Sequence, residues 1–225
     1  MRRVLDLYRS SVGKKVVMAL TGVVLVLFVL GHMAGNLKAF QGPEAFNHYA
    51  EGLREFGEPF LPRTGALWIA RLGLLGAVGL HILAAVQLTR TSHAARSVDY
   101  GKEESLVFSY ASRTMRWGGV VILAFVVYHL LHFTTGTAHH DFIPGDAYHN
   151  LVAGFQNPWI ALSYIVAVGA LALHLYHGIW STFQTLGLNH PKYNPYRRPL
   201  AGVLAAVIFL GFITVPVAVM AGVIS

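Results

Sequence analysis

The chain has 225 residues, of which 55% are hydrophobic and only 12% charged. So few charges cannot solvate a surface made of so much apolar sequence, which excludes a disordered chain and argues against an ordinary water-soluble domain. Cysteine is absent and the net charge is +7. Disulfides, iron–sulfur ligation and a thiol nucleophile are therefore excluded within this chain, and the positive balance reads as membrane-flanking loops rather than a nucleic-acid surface.

Five stretches are long and apolar enough to cross a hydrocarbon core, which takes about 20 helical residues. They cover roughly 16–38, 65–89, 117–138, 158–184 and 200–224. The expected fold is an all-α membrane protein of one domain over residues 1–225, with a four-helix bundle and a fifth, peripheral helix. The first stretch follows Arg2, Arg3, Arg9, Lys14 and Lys15. Its apolar run is too long for a signal peptide and no small-residue cleavage site follows, so it is a retained helix. Residues 2–12 suit a short interfacial segment.

Lysine and arginine are unevenly placed. Arg90, Arg96, Lys102, Arg113 and Arg116 follow the second stretch, and Lys192, Arg197 and Arg198 precede the fifth. The opposite side has Lys38, Arg54 and Arg63 among Glu44, Glu51, Glu55, Glu58, Asp141 and Asp146. The positive-inside rule then puts the N-terminus in the cytoplasm and Ser225 outside, in a cell's cytoplasmic (inner) membrane. The connecting loops are too short for an extramembrane catalytic domain. Chemistry must occur within the bundle or come from a partner.

Among the 12 histidines, His32, His81, His129, His132, His174 and His177 lie in the first four stretches. Ionisable groups at membrane depth are expensive and mark functional sites. With about 1.5 Å of rise per residue, His32 and His129 fall towards the outer face, and His81 and His174 towards the cytoplasm. Each level takes one imidazole from each of two helices running in the same direction, as two bis-histidine haems require. Depth does not separate His129 from His132, and a spare histidine suits a propionate or a quinone. Gly31, Gly35, Gly73, Gly76, Gly79, Gly118, Gly119, Gly169 and Gly178 would let a flat macrocycle approach, or serve close helix packing. Span five is expected outside the haem-bearing bundle, packed on one side and facing lipid on the other, with Pro216 kinking it.

Two other classes compete. The two His-x-x-His pairs with His139, His140 and His149 suit the histidine boxes of a di-iron membrane hydroxylase or desaturase, but they fall on different faces and cannot converge on one metal pair. A transporter with satisfied core histidines leaves the matched depths unexplained. Arg71 suits either an anionic partner such as a propionate or quinone head, or snorkelling to the outer surface.

The stretches Ser11-Val-Gly-Lys-Lys-Val-Val-Met-Ala-Leu-Thr-Gly22, Gly31-His-Met-Ala-Gly-Asn-Leu37, Tyr110-Ala-Ser-Arg-Thr-Met115, Tyr128-His-Leu-Leu-His132, His174-Leu-Tyr-His-Gly-Ile-Trp-Ser181 and Gln184-Thr-Leu-Gly187 carry a likeness over nearly the whole chain. In these the sequence resembles the cytochrome b membrane anchor of succinate dehydrogenases, or succinate:quinone oxidoreductases, in the five-helix di-haem form shared with fumarate reductases. The resemblance implies two haem b groups, an outer one held by His32 and His129 and an inner one held by His81 and His174. It thereby chooses His129 over His132. It also implies a flavoprotein partner with covalent FAD and the dicarboxylate site, and an iron–sulfur partner, both docked on the basic cytoplasmic face. Electrons would pass from their clusters to a membrane quinone, menaquinone by preference. Candidates for quinone or propionate contact are Lys38, His48 and Arg71 outside, and Ser112, Arg113 and Gln184 on the cytoplasmic side. Some relatives carry a glutamate two residues before the fourth-helix ligand. Here Ala172 stands there, which favours succinate oxidation over quinol:fumarate reduction.

Overall fold

The structure, a computed structural model, describes residues 8–95 and 110–225, so Arg2, Arg3, Arg96 and Lys102 lie outside the described residues. Helix α1 (Ser11–Asn36) starts where the Ser10 hydroxyl accepts the Gly13 N–H at 3.0 Å, an N-cap that satisfies one of the first turn's free donors. It runs into a 3-10 turn, Leu37–Gln41, and stops at Gly42, whose φ of +92° suits glycine. Then follow α2 (Pro43–Glu55), α3 (Gly65–Ala94), α4 (Tyr110–His129), α5 (Ala147–Gln156), α6 (Pro158–Thr185) and α7 (Arg197–Met220). Pro43 and Pro158 stand in the first turns of α2 and α6, where the missing N–H costs nothing. No strand occurs among the described residues.

The segments Ser11–Gln41, Gly65–Ala94, Met115–Phe133, Pro158–Thr185 and Asn194–Met220 are long and apolar enough to span a membrane. Leu20, Leu27, Phe28, Leu72, Leu75, Val120 and Val203 on them are exposed, a surface that lipid solvates and water does not. The chain is an all-α membrane protein. Helix α6 packs along α7, α1 along α3, and α4 along α6, while α1 also touches α6 and α7. Ala201 and Ala205 of α7 are buried with Leu175 and Ile179 of α6, small residues that let the two backbones close up.

Three features differ from the sequence reading. The third span is α-helical only to His129, continues as a π-turn over Leu130–Thr134, and stops well short of residue 138; the Thr135 N–H closes that turn on the Leu130 carbonyl at 3.0 Å. The connections between the first and second spans and between the third and fourth hold the two helices α2 and α5 rather than loops. Asn47 of α2 ties them, donating to the Asp146 carboxylate at 2.9 Å and accepting the Tyr148 N–H at 2.9 Å. They cap one end of the bundle over a core including Phe46, Leu151, Phe155, Tyr164 and Val219. Helix α7 faces outward along Leu200, Val203, Val207 and Leu210. Its other face penetrates the bundle because Gly211 leaves room for the Met33 side chain.

Candidate functional site

At the capped end, His32 of α1 and His129 of α4 meet with ring centroids 5.7 Å apart and planes at 84°. Phe28 stacks on His32 at 5.4 Å, and Phe212 of α7 approaches it at 5.9 Å. Phe125 and Phe133 flank His129 at 5.9 and 5.7 Å. The pair therefore sits in an aromatic wall to which span five contributes, a contribution its lack of polar residues does not announce.

Towards the opposite, basic end, His81 of α3 and His174 of α6 meet at 6.3 Å. The Nδ1 of His81 lies 3.1 Å from the Met18 carbonyl and 3.1 Å from the Thr21 hydroxyl. Thr21 donates to the Val17 carbonyl at 2.8 Å, which leaves its oxygen to accept. Nδ1 is then the protonated nitrogen of His81, and Nε2 carries the free lone pair. Sequence reading missed Thr21 and Met18; the signal available was their place inside the Ser11–Gly22 stretch.

These pairs fit an axially ligated macrocycle. Among the described residues, α1 does not pack closely on α4, nor α3 on α6, so the imidazoles reach across between separated helices. Nδ1 of His129, His174 and His177 and Nε2 of His132 are buried without a partner, so unpaired nitrogens mark paired and spare histidines alike. A Cβ at Gly22 would stand 3.5 Å from the His81 ring, and one at Gly119 4.0 Å from the His174 ring. Gly31, Gly73, Gly76, Gly79, Gly118 and Gly178 have open space where a Cβ would point. Gly35 instead receives the Tyr49 ring, and Gly169 lies against Phe209, so these two serve packing.

The spare histidines go elsewhere. His132 is fully buried, bonded through Nδ1 to the Tyr164 hydroxyl at 2.9 Å, and stacked on His139 at 4.7 Å. His177 packs its ring against Trp180 at 5.3 Å. His139 donates through Nε2 to the Asn150 carbonyl at 2.8 Å and accepts the Asp141 N–H at Nδ1, so both its nitrogens are used. His149 meets Asp141 at 3.0 Å. No group of three or more His, Asp or Glu side chains among the described residues is arranged to hold a metal ion.

The candidates for polar contacts do not gather. Lys38 lies 5.4 Å over the Tyr49 ring and Arg71 lies 5.0 Å over Trp68 on the exposed face of α3. His48 is exposed on α2. Gln184 lines a cleft with Trp180, Asn194, Pro195, Arg197 and Arg198. Ser112 and Arg113 lie on α4, outside the residues whose side chains are described.

Residues 105–215 match the sequence profile of the succinate dehydrogenase/fumarate reductase transmembrane subunit family. Over those residues, just under half of its length, the chain is similar to that family. The match takes in α4 to most of α7, hence His129 and His174, and this transmembrane subunit serves an electron-transporting oxidoreductase complex, of a family in which haem and quinone are typical. Its soluble catalytic partners are those of the succinate dehydrogenase or fumarate reductase complex. Comparison with curated proteins and with solved structures finds no match.

Proposed function

We propose that this chain is the di-haem cytochrome b anchor of a succinate:menaquinone oxidoreductase, with its N-terminus in the cytoplasm. The observation that carries the reading is the meeting of His32 with His129 and of His81 with His174 at two separate levels. His32 and His129 would hold one haem at the capped, outer level, and His81 and His174 the other at the cytoplasmic level. Bound haem b supplies reversible one-electron chemistry. The chain's own residues ligate, orient and dry the site. Thr21 and Met18 fix the His81 tautomer, as outer partners of metal-ligating imidazoles do, and Phe28, Phe125, Phe133 and Phe212 keep water from the outer pair. The basic end, with Lys14, Lys15, Arg90 and Arg116, would receive the iron–sulfur and flavin-bearing partners. Ala172, where some resembling fumarate reductases carry a glutamate, supports the succinate-oxidising direction.

The test is a reduced-minus-oxidised absorption spectrum of the purified protein with a pyridine haemochromogen count. Two b-type haems per chain are expected, with one lost in His32→Ala and one in His81→Ala. A single haem in the native chain would unseat one pair. No haem, with another metal present, would sink the cytochrome reading.

A further inference from the structure

The cytoplasmic end of the α6–α7 hairpin carries positive charge that nothing described neutralises. The chain has no Asp or Glu after Asp146, and neither Arg197 nor Arg198 enters an ion pair among the described residues. Both stand on the first turn of α7, where the helix dipole is also positive. Together with Trp180, Gln184, Asn194 and Pro195 they line a cleft of about 280 Å³. The Arg198 guanidinium lies 5.0 Å over the Trp180 ring. Arg197 donates one amino group to Asn189 at 3.0 Å, while its Nη1 is buried with no partner. A guanidinium nitrogen taken from water and left unbonded is costly, and a carboxylate or phosphate oxygen is the charge-assisted acceptor that suits it.

The surroundings specify which anion. Trp180 is placed as an interfacial aromatic, at the end of a span where a ring meets the headgroup layer. Beyond Arg197, the exposed Leu200, Val203, Val207 and Leu210 run down α7, an apolar track of the kind an acyl chain covers. Basic pockets between helix ends are a recurring headgroup site. We propose that this cleft binds the phosphate of an anionic phospholipid, with Arg197 and Arg198 as its cationic contacts. Placing that lipid in the cytoplasmic leaflet rests on the orientation proposed above, whereas its phosphate chemistry is independent of orientation and of haem content.

The assembled complex, purified in mild detergent and delipidated, is titrated with phosphatidylglycerol, with phosphatidylcholine and with inorganic phosphate, and retained lipid is counted by native mass spectrometry. Phosphatidylglycerol should bind in preference to phosphatidylcholine. The double variant Arg197→Gln/Arg198→Gln should weaken it about tenfold or more, two surface cations being lost, while Arg197→Lys/Arg198→Lys recovers part of it. Gel filtration establishes that each variant remains assembled. Undiminished binding in the glutamine variant overturns the proposal. So does loss of the soluble partners with lipid retained, which would assign the arginines to a partner's carboxylates. Equal saturation by inorganic phosphate with no gain from the acyl chains overturns the lipid as source. None of these readouts uses haem, so failure here is separable from failure of the cytochrome reading.

Discussion

Thr21 and His81, sixty residues apart on α1 and α3, share a hydrogen bond of 3.1 Å. The threonine hydroxyl is already committed as a donor to its own helix, so it can only accept from the imidazole. One pair of side chains thus joins helix packing to the protonation pattern of a proposed ligand, and leaves the lone pair on Nε2.

Thr21→Val should therefore loosen the cytoplasmic-level haem without disturbing the outer one. Outer-shell partners of metal ligands are worth about 10–100-fold in affinity. The loss should lie near the lower end, because the Met18 carbonyl still holds Nδ1. Haem transfer to apomyoglobin from the detergent-solubilised protein measures it, one of two phases accelerating about tenfold. Thr21→Ser, which keeps the acceptor, should match the native rate. Equal rates in the native and valine forms would remove Thr21 from the site.

His129 and His132, three residues apart, separate into different roles. His129 meets His32, whereas His132 is sealed against Tyr164. His129→Ala should lose one haem and His132→Ala none. Tyr164→Phe keeps the ring and removes the hydroxyl, leaving a buried nitrogen unpaired at a cost of about 1–3 kcal/mol. Its thermal midpoint in detergent should fall while the haem count holds. A haem lost from His132→Ala with none lost from His129→Ala would exchange the two assignments.

Gly154 of α5 is the close-approach point of the cap formed by α2 and α5. A Cβ there would stand 2.9 Å from the His132 ring and 3.1 Å from Phe133. Fully buried His132 has nowhere to retreat. Gly154→Ala should destabilise by about 1–3 kcal/mol, the usual result of overpacking. Gly52→Ala on α2 is the control: its Cβ meets nothing, and replacing a mid-helix glycine by alanine should help by about 0.5–1 kcal/mol. Thermal unfolding of both variants compares them; a midpoint for Gly154→Ala at or above the native value contradicts the packing argument.

What could be read from sequence follows from which signals are one-dimensional. Span length and charge asymmetry depend only on local composition, and the depth of a histidine is a count of residues from a span's end, so the levels of His32, His81, His129 and His174 are legible. Helix α2 reads as loop, although Phe46, Tyr49, Ala50 and Leu53 recur at the helical period. Its polar remainder falls below any threshold set for spans, which hides it. The π-turn at Leu130–Thr134 has no such signature. A regular helix would keep His132 on nearly the face of His129, and the wider turn rotates it towards Tyr164. Thr21 and Phe212 owe their places to the meeting of distant helices. No periodicity within one helix records that.

The cap formed by α2 and α5 should also respond to acid. Asp146 caps α5, and its carboxylate accepts the His149 N–H and the Asn47 side chain. The backbone N–H of His149 first, and then Asn47, hold its pKa below the ordinary 3.8. A carboxylate depressed in the folded state stabilises above its unfolded pKa, and that contribution is lost as pH falls through the lower folded value. The window therefore opens near the ordinary carboxylate pKa and extends below it. Native protein should lose thermal midpoint on acidification through that window. Asp146→Asn, which cannot ionise but can still cap, should lose less, and the native-minus-variant difference isolates this group from the other carboxylates. A difference that stays flat with pH would mean that Asp146 is not what ties α2 to α5 through its charge.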